Sequence, residues 1–319
     1  MFTLGTRLAG AGRALRHPIM VPRYFKARRN LLYLRYRQRR NHGVFSVNLQ
    51  KNNGFFAQIS WCPYILSFCH AQNLIPHVTI TNPRYTDPRR GADCLAYFFE
   101  NPEQEFIDAN VVETVGIGKL SQLGLPSRYM RGMTLEHASM LVKRHMRVRQ
   151  EVVDAVERFW RAHFDGGVVL GVHFRGTDKH EAPRVSYEHC AQAITRFLNH
   201  HPEVDRIFVA SDESPFVQFM RKEFRSIPVS FCDDQRSDGT LAVHHRDFGG
   251  DNYEKGREAL VNCLLLARCS VLIRTASALS GWASVFNPQL RVIMLNRPYP
   301  QCLWFPDKLV IAKASMAEL

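Results

Sequence analysis

VVLGVHFRGTDK, residues 168–179, begins with an uncharged apolar run and ends in a polar cluster around Gly176. The run 168–172 is rich in β-branched residues, which predicts a buried strand of a parallel sheet. Ligands of open α/β sheets bind beyond the carboxyl ends of the strands. His173, Arg175 and Asp178 are therefore expected at a ligand site. The planar donors of arginine match phosphate oxygens, which favours a diphosphate. The alternative is a solvated junction with a local Arg–Asp ion pair.

After residue 168 the chain alternates regularly between short apolar runs and amphipathic segments. Strands are predicted at 168–174, 206–210, 229–231, 271–274 and 291–295. Helices are predicted at 187–199, 214–224, 253–267 and 277–286. Such a series of βαβ units predicts an α/β fold with a parallel, doubly wound sheet.

The preceding part of the chain contains a further βα unit. Apolar and polar residues alternate at 44–49, which predicts a strand, and a turn that ends at Gly54 follows it. Residues 55–72 are predicted to form one buried helix, with Pro63 at a kink or in the first turn. The glycine turn would direct backbone N–H groups at an anion, although a plain turn is the alternative. Two helices, at 133–145 and 149–164, follow and are expected to bridge two domains.

Polar residues also follow two other predicted strands. Asp212 comes after the strand 206–210, and Thr275 and Ser277 come after the strand 271–274. Each of these residues could contact a ligand at the carboxyl edge of the sheet. Each could instead cap the helix that follows it, since Asp, Ser and Thr are common N-cap residues.

The positive charge of the chain is concentrated at one end. The formal net charge is +13, but residues 1–50 contain eleven Lys or Arg and no Asp or Glu, which leaves +2 for the remaining residues. The basic arm, residues 1–43, interleaves arginines with Leu, Tyr and Phe. It could tether the protein to an anionic membrane, act as a transit peptide, bind nucleic acid, or form a flexible tail.

Other features exclude some classes of protein. No apolar run approaches the roughly 20 residues of a membrane-spanning helix. The eight cysteines show no C-x-x-C pair, so we expect reduced core thiols in a cytosolic protein and no structural zinc.

Three stretches together resemble the fucosyltransferase superfamily that includes the α-1,6-fucosyltransferases of core N-glycan and nodulation-factor synthesis. Residues 173–179, HFRGTDK, are similar to the family string H-x-R-R-T-D-K. Residues 256–266 with 272–277 resemble its acidic helix followed by a strand and T-x-S-S. Asn53-Gly54-Phe55 and Gln58 are similar to its N-terminal glycine motif.

This resemblance implies a GT-B-like fold with two Rossmann-like lobes. We expect the basic arm to be followed by an acceptor-side lobe at 44–164, which includes the bridging helices, and by a nucleotide-sugar-binding lobe at 165–319. The implied activity is an inverting transfer of fucose from GDP-fucose to a glycan or glycolipid hydroxyl, without a metal ion. The protein is expected to be cytoplasmic, to touch an anionic membrane through its arm, and to bind no nucleic acid.

The resemblance also implies roles for individual residues. Arg175 would hold the diphosphate and stabilise the leaving GDP, and Glu181 would be the catalytic base, with His180 as an alternative. The implied donor-binding residues are Gly54, His173, Arg175, Asp212, Glu258, Asn262, Thr275 and Ser277.

The sequence departs from the family pattern at three positions. Gly176 replaces the second arginine, Asn262 stands where the family has a guanine-reading aspartate, and Ala278 ends the T-x-S-S string. Glu258 lies one helical turn before Asn262 and could substitute for that aspartate. A transferase with another nucleotide sugar, or a non-catalytic nucleotide- or glycan-binding protein, therefore remains an alternative.

Overall fold

The computed structural model describes residues 25, 29–30, 32–33, 36, 39, 42–107, 114–125, 129, 132–176, 180–238, 243 and 252–317. The predictions made for the basic arm lie almost entirely outside these residues. So do Thr177, Asp178 and Lys179 of the HFRGTDK string.

The first part of the chain forms a small parallel sheet with helices around it. Its strands are β1 (Val44–Gln50), β2 (Ile75–Thr81), β3 (Phe99–Glu100), β4 (Thr114–Gly116) and β5 (Arg147–Val148). Its helices are α1 (Phe55–Ile59), α2 (Cys62–Gln72), α3 (Ile117–Gln122), α4 (Leu135–His145) and α5 (Gln150–Phe164). The parallel sheet has the order β2-β1-β4, and β3 pairs with β5 in a separate antiparallel ribbon.

The predicted single helix at 55–72 is wrong, because two helices occupy this stretch. α1 ends at Ile59, and α2 begins at Cys62 with Pro63 in its first turn. Proline has no N–H to donate and is tolerated in the first turn, where the N–H would have no helical partner. The expected position of Pro63 is confirmed, and the break in the helix lies just before it.

The second part of the chain forms the predicted five-stranded parallel sheet. Its strands are β6 (Val169–Phe174), β7 (Arg206–Ser211), β8 (Val229–Ser230), β9 (Val271–Arg274) and β10 (Arg291–Met294). Its helices are α6 (Tyr187–His200), α7 (Ser214–Glu223), α8 (Asn252–Arg268), α9 (Ala278–Phe286) and α10 (Asp307–Ala317). The strand order is β10-β9-β6-β7-β8, with β6 in the centre. The chain adds β7 and β8 on one side of β6 and then β9 and β10 on the other side, which confirms the doubly wound sheet.

Burial on both faces explains why β6 carries a continuous apolar run. Leu170 and Val172 pack in a cluster with residues of α6 and α7. Val169, which points to the opposite face, packs in the larger core that includes α8 and α9. Because the pairings β6–β7 and β6–β9 are parallel, the polar ends of all three strands meet at one edge.

Aromatic contacts fix the first part of the chain against that edge. Trp282 of α9 is fully buried, packs against Phe56 of α1, and donates its Nε1–H to Ser60 Oγ at 2.9 Å. Tyr253 of α8 stacks on Phe98 with ring centroids 5.3 Å apart. These contacts place the β1–α1 turn opposite the carboxyl ends of β6, β7 and β9. Within the described chain, no helix combines the length and the apolar character needed to cross a bilayer.

Candidate functional site

The residues singled out in the sequence converge on one cavity. It has a volume of about 610 Å³ and lies between the β1–α1 turn and the carboxyl edge of the five-stranded sheet. Eight of the nine predicted site residues line it: Gly54, His173, Arg175, Glu181, Asp212, Glu258, Asn262 and Ser277. The ninth, Thr275, lies behind the wall. We refer to this space as the central cavity.

Two of these residues hold Arg175 in position. The backbone N–H of Arg175 donates to Thr275 Oγ1 at 2.8 Å. The guanidinium Nη1 lies 3.2 Å from Asp212 Oδ2. The alternative that Asp212 caps the following helix is wrong, because Glu213 is the N-cap residue of α7. Thr275 and Asp212 therefore present a preorganised cation to the central cavity.

His173 is a neutral member of the site. Burial, and then the positive charges of Arg274 and Arg175, hold the pKa of His173 well below its usual range. Its Nδ1 atom is buried and has no hydrogen-bond partner among the described residues. His173 can therefore offer a hydrogen bond to a ligand but cannot supply a positive charge to a phosphate.

A second group of polar side chains lines the cavity, from the middle of α8 and from the loop after β8. Asn262 donates its amide hydrogens to Asp234 Oδ2 at 2.6 Å and to the Glu258 carbonyl at 2.8 Å. The Asn262 Oδ1 and Gln235 Oε1 atoms are both buried, and neither has a partner within the described chain. The backbone N–H of Gln235 donates to Glu258 Oε2 at 3.2 Å. This part of the cavity is thus rich in hydrogen-bond acceptors.

Both carboxyls in this group have raised pKa values. Burial, and then the negative charge of Asp234, raises the pKa of Glu258 to about 7. Burial also raises the pKa of Asp234, against the lowering effect of the hydrogen bond from Asn262. A hydrogen-bond donor that entered this region would stabilise the ionised forms.

Asp234 and Gln235 were missed in the sequence. They lie in a stretch without regular structure after β8, a strand of only two residues. The rule that ligands bind beyond the carboxyl ends of strands, applied to β8, would have found them. Arg84 and Lys255, two further cations of the cavity wall, carried no such signal.

The start of α9 forms another part of the cavity wall. Ser277 is its N-cap residue, makes no side-chain capping bond, and lines the cavity together with Ala278 and Leu279. The Ser277 carbonyl accepts a hydrogen bond from Arg274 Nη2 at 2.8 Å. Arg274 is fully buried and pairs with Asp307 Oδ1 at 2.6 Å, so an ion pair inside the core fixes this loop.

The structure gives a physical reason for glycine at position 176. A Cβ atom placed there would lie 2.8 Å from Glu213 Cδ and 2.8 Å from a ring carbon of Phe174. Glu213 is buried and accepts a hydrogen bond from the Tyr187 hydroxyl. The Glu213 carboxylate thus occupies the space that a side chain at 176 would need.

The glycine motif of the first βα unit has a less specific role. Gly54 has φ −59° and ψ 150°, which any residue can adopt, and a Cβ atom there would meet nothing within 4 Å. Gln58 is buried, donates to the Leu49 carbonyl at 2.7 Å and accepts from Asn82 at 2.6 Å. Gln58 therefore ties the ends of β1 and β2 together behind the turn.

The predicted base is one of the residues that line the cavity. Glu181 lines the wall, and its backbone carbonyl accepts a hydrogen bond from the Tyr299 N–H at 2.8 Å. His180, the alternative base, is exposed and is not one of the wall residues described. Trp304, which was also missed in the sequence, lines the cavity and is exposed to solvent.

Among the residues that the structure describes, no group of three or more His, Cys, Asp or Glu side chains is arranged to hold a metal ion. The independence from metal ions implied by the resemblance stays a prediction.

Three kinds of comparison relate the chain to known proteins. The family model described as Nodulation protein Z (NodZ) matches residues 134–309, more than half of the chain. Nodulation protein Z of Azorhizobium caulinodans is 32% identical over 159 residues, which cover 44% of this chain and 45% of the relative. The chain therefore spans about half the length of the curated relatives it matches.

Two solved structures are similar to a large part of this chain. A mutant of Arabidopsis thaliana FUT1 in complex with GDP has a TM-score of 0.51 at 11% identity, over 86% of this chain and 76% of that one. A NodZ α-1,6-fucosyltransferase soaked with GDP-fucose has a TM-score of 0.46 at 16% identity, over 78% and 94%. The likeness to the plant structure concerns the fold alone. It confirms the predicted α/β class with two Rossmann-like lobes of the GT-B type.

Proposed function

This chain belongs to the Nodulation protein Z (NodZ) family, and from that premise we propose that it is an inverting glycosyltransferase whose central cavity binds GDP-fucose. The fucose would pass to a hydroxyl of a glycan or glycolipid, and no metal ion would be needed. The lobe at 165–319 would bind the donor, and the lobe at 44–164 would lie on the acceptor side.

The observation that carries this proposal is the pair of unpartnered acceptor atoms, Asn262 Oδ1 and Gln235 Oε1. Buried polar atoms in proteins nearly always have a hydrogen-bond partner, so a ligand with donors is expected to meet them. The Watson–Crick edge of guanine carries two adjacent donors, N1–H and the N2 amino group, whereas that of uracil carries a single N–H. The carboxylates of Asp234 and Glu258 beside the two amides add acceptors and favour guanine further.

The diphosphate would lie against Arg175 and the first N–H groups of α9, at Ala278 and Leu279. A cation held there stabilises the negative charge that develops on the departing diphosphate. Arg84 and Lys255 also line the cavity, so the replacement of the family arginine by Gly176 leaves further positive charge at the site.

An inverting transfer requires attack by the acceptor hydroxyl on the face of the sugar opposite the diphosphate. The hydroxyl loses its proton as the new bond to the anomeric carbon forms. We assign Glu181, which lines the cavity, as the base that would take that proton. The bond between the anomeric carbon and the diphosphate oxygen breaks in the same step, and its electron pair leaves with GDP.

The test separates donor binding from chemistry. Wild-type protein and Glu181→Gln are each incubated with GDP-fucose and a set of glycans, and GDP release and fucosylated product are measured. We expect Glu181→Gln to keep its GDP affinity and lose transfer, whereas His180→Gln, a change at the neighbouring exposed residue, keeps both. Full transfer by Glu181→Gln would contradict the role of that residue, and absence of GDP binding by the wild type would contradict the whole proposal.

A second candidate function follows from the departures at Gly176 and Asn262. A chain that binds UDP- or ADP-sugars more tightly than GDP-fucose would be a transferase with another donor. A chain that binds GDP-fucose and never transfers fucose would be a non-catalytic binding protein. The same incubation, repeated with these nucleotide sugars, distinguishes the candidates.

The protein would be cytoplasmic, and the basic arm would hold it at an anionic membrane where glycolipid acceptors are available. Its eleven Lys and Arg residues within positions 1–50 motivate this part of the proposal. Deletion of residues 1–42 should abolish cosedimentation with vesicles that contain phosphatidylserine and leave GDP binding intact. Unchanged cosedimentation would contradict it.

A further inference from the structure

Outside the basic arm, two described aromatic side chains are exposed, and both belong to one segment that reaches the central cavity. From residue 42 onward, the described large apolar side chains that are exposed are Met140, Tyr299 and Trp304. Two of these three belong to the segment 299–304, which follows β10. Trp304 is 62% exposed and also lines the cavity. The other three tryptophans, at positions 61, 160 and 282, are half-buried or buried.

The backbone that carries Trp304 is firmly anchored. The next residue, Phe305, is buried and packs edge-on against Trp282 at 5.8 Å and Tyr64 at 5.6 Å. Asp307 forms the buried ion pair with Arg274. The Trp304 carbonyl accepts from the Lys308 N–H at 2.9 Å, and the Trp304 indole N–H donates to the Gln301 carbonyl at 3.1 Å. The indole is thus a fixed feature of the surface.

A fixed exposed indole in the wall of a polar cavity points to a ligand with an apolar face. Burying an aromatic ring against such a face is favourable, and little side-chain freedom remains to be lost on binding. The Tyr299 N–H bonds the carbonyl of Glu181, so the segment that carries Trp304 is tied to the predicted base. Because Trp304 and Glu181 line the same cavity, a ligand that stacks on Trp304 would share that cavity with the proposed base.

We propose that Trp304 forms the acceptor subsite by stacking its indole on the sugar ring that carries the accepting hydroxyl. This inference rests on the proposed function. A pyranose has a face of C–H groups that fits an indole and a rim of hydroxyls that can reach a carboxylate. A lipid chain or an apolar side chain could cover the indole but would bring no hydroxyl to Glu181. Trp304 thus selects a carbohydrate acceptor whose terminal sugar presents a free C–H face.

Fluorescence provides a direct test, because Trp304 is the exposed tryptophan. Acrylamide quenching is measured on the full chain with GDP present, alone and with neutral tetrasaccharides of glucose, galactose, mannose or N-acetylglucosamine. At least one tetrasaccharide should protect the wild-type fluorescence from quenching and should leave the quenching of Trp304→Ala unchanged. If none of the four protects the wild type, the inference is overturned.

Kinetics with the protecting tetrasaccharide and GDP-fucose give the second readout. Trp304→Ala should raise KM for the acceptor about tenfold, the equivalent of about 1.4 kcal/mol, with KM for GDP-fucose unchanged. Trp304→Phe should recover part of the loss, and Met140→Ala, an exposed change on α4, should have no effect. An unchanged acceptor KM in Trp304→Ala would overturn the inference.

Thermal stabilisation by GDP distinguishes failure of the acceptor subsite from failure of the proposed function. If GDP stabilises both wild type and Trp304→Ala while the acceptor KM stays the same, only the acceptor subsite is wrong. If GDP stabilises neither protein, the proposed function itself fails, and this inference fails with it.

Discussion

The crowded space beside Gly176 explains why this chain lacks the second arginine of the H-x-R-R-T-D-K string that it resembles, and the explanation predicts the cost of a side chain at that position. In Gly176→Ala, the new Cβ atom would lie 2.8 Å from Glu213 Cδ and 2.8 Å from the Phe174 ring. Neither neighbour can move easily. Glu213 is 2% exposed and bound to Tyr187, and Phe174 stacks on Phe216 with centroids 4.2 Å apart.

The expected cost follows from the two ways of relieving the clash. Overpacking a well-packed site costs about 1–3 kcal/mol. Displacing the Glu213 carboxylate would break its bond with Tyr187, and hydrogen bonds to charged groups contribute about 1.5–3 kcal/mol. We expect Gly176→Ala to lower the free energy of unfolding by about 3 kcal/mol, which corresponds to a fall in Tm of roughly 6 °C in a chain of this size.

Calorimetry and urea unfolding measure this cost, and two further variants test its cause. Gly132→Ala is the matched control, because a Cβ atom there meets nothing within 4 Å and its stability should not fall. In the background of Glu213→Ala, the change Gly176→Ala should cost less than half as much. If Gly176→Ala is as stable as Gly132→Ala, the steric explanation for the missing arginine is refuted.

Three other changes at and behind the cavity have defined outcomes. Asn262→Asp should lower Tm, more at pH 8 than at pH 5, because two facing carboxylates would replace the 2.6 Å hydrogen bond from Asn262 to Asp234. Adding Asp234→Asn should restore Tm, and a double variant without this restoration would contradict the pairing. The wild-type Tm should fall between about pH 5 and 8, because a carboxyl whose pKa is raised to about 7 stabilises the fold while protonated and loses that contribution as the pH rises. Glu258→Gln should make this fall in Tm smaller. A wild-type Tm that rises over this range would contradict the prediction. Arg274→Ala should destabilise the protein by about 3–5 kcal/mol in urea unfolding, because the buried Asp307 carboxylate would lose its partner; a loss below about 1 kcal/mol would refute the importance of this pair.

The fold could be predicted from the sequence where the pattern of apolar residues matches the burial of the element in the structure. β6, buried on both faces, is a continuous apolar run, and the regular alternation after it predicted the order of strands and helices. The same pattern failed at residues 55–72, where apolar residues continue without interruption across the break between α1 and α2. Periodicity cannot detect a break inside a segment that is buried throughout.

The site was predictable where it follows the ends of long strands. Arg175 and Asp212 extend β6 and β7, and the rule for α/β sheets placed both correctly. Asp234 follows a strand of two residues, and Trp304 lies on a loop far from the quoted motifs. The sequence also could not indicate that Glu213 fills the space beside Gly176, because that contact depends on how two loops pack.

Calorimetric titration with GDP, UDP and ADP tests the central claim most directly. Wild-type protein should bind GDP at least tenfold more tightly than UDP or ADP, and Arg175→Ala should weaken GDP binding by about 10- to 100-fold, the range expected for hydrogen bonds to a charged group. Arg268→Ala, which removes a cation paired with Glu157 away from the cavity, should bind GDP like the wild type. Equal or tighter binding of UDP or ADP, or GDP binding that does not respond to Arg175→Ala, would contradict the assignment of the central cavity to a guanine nucleotide.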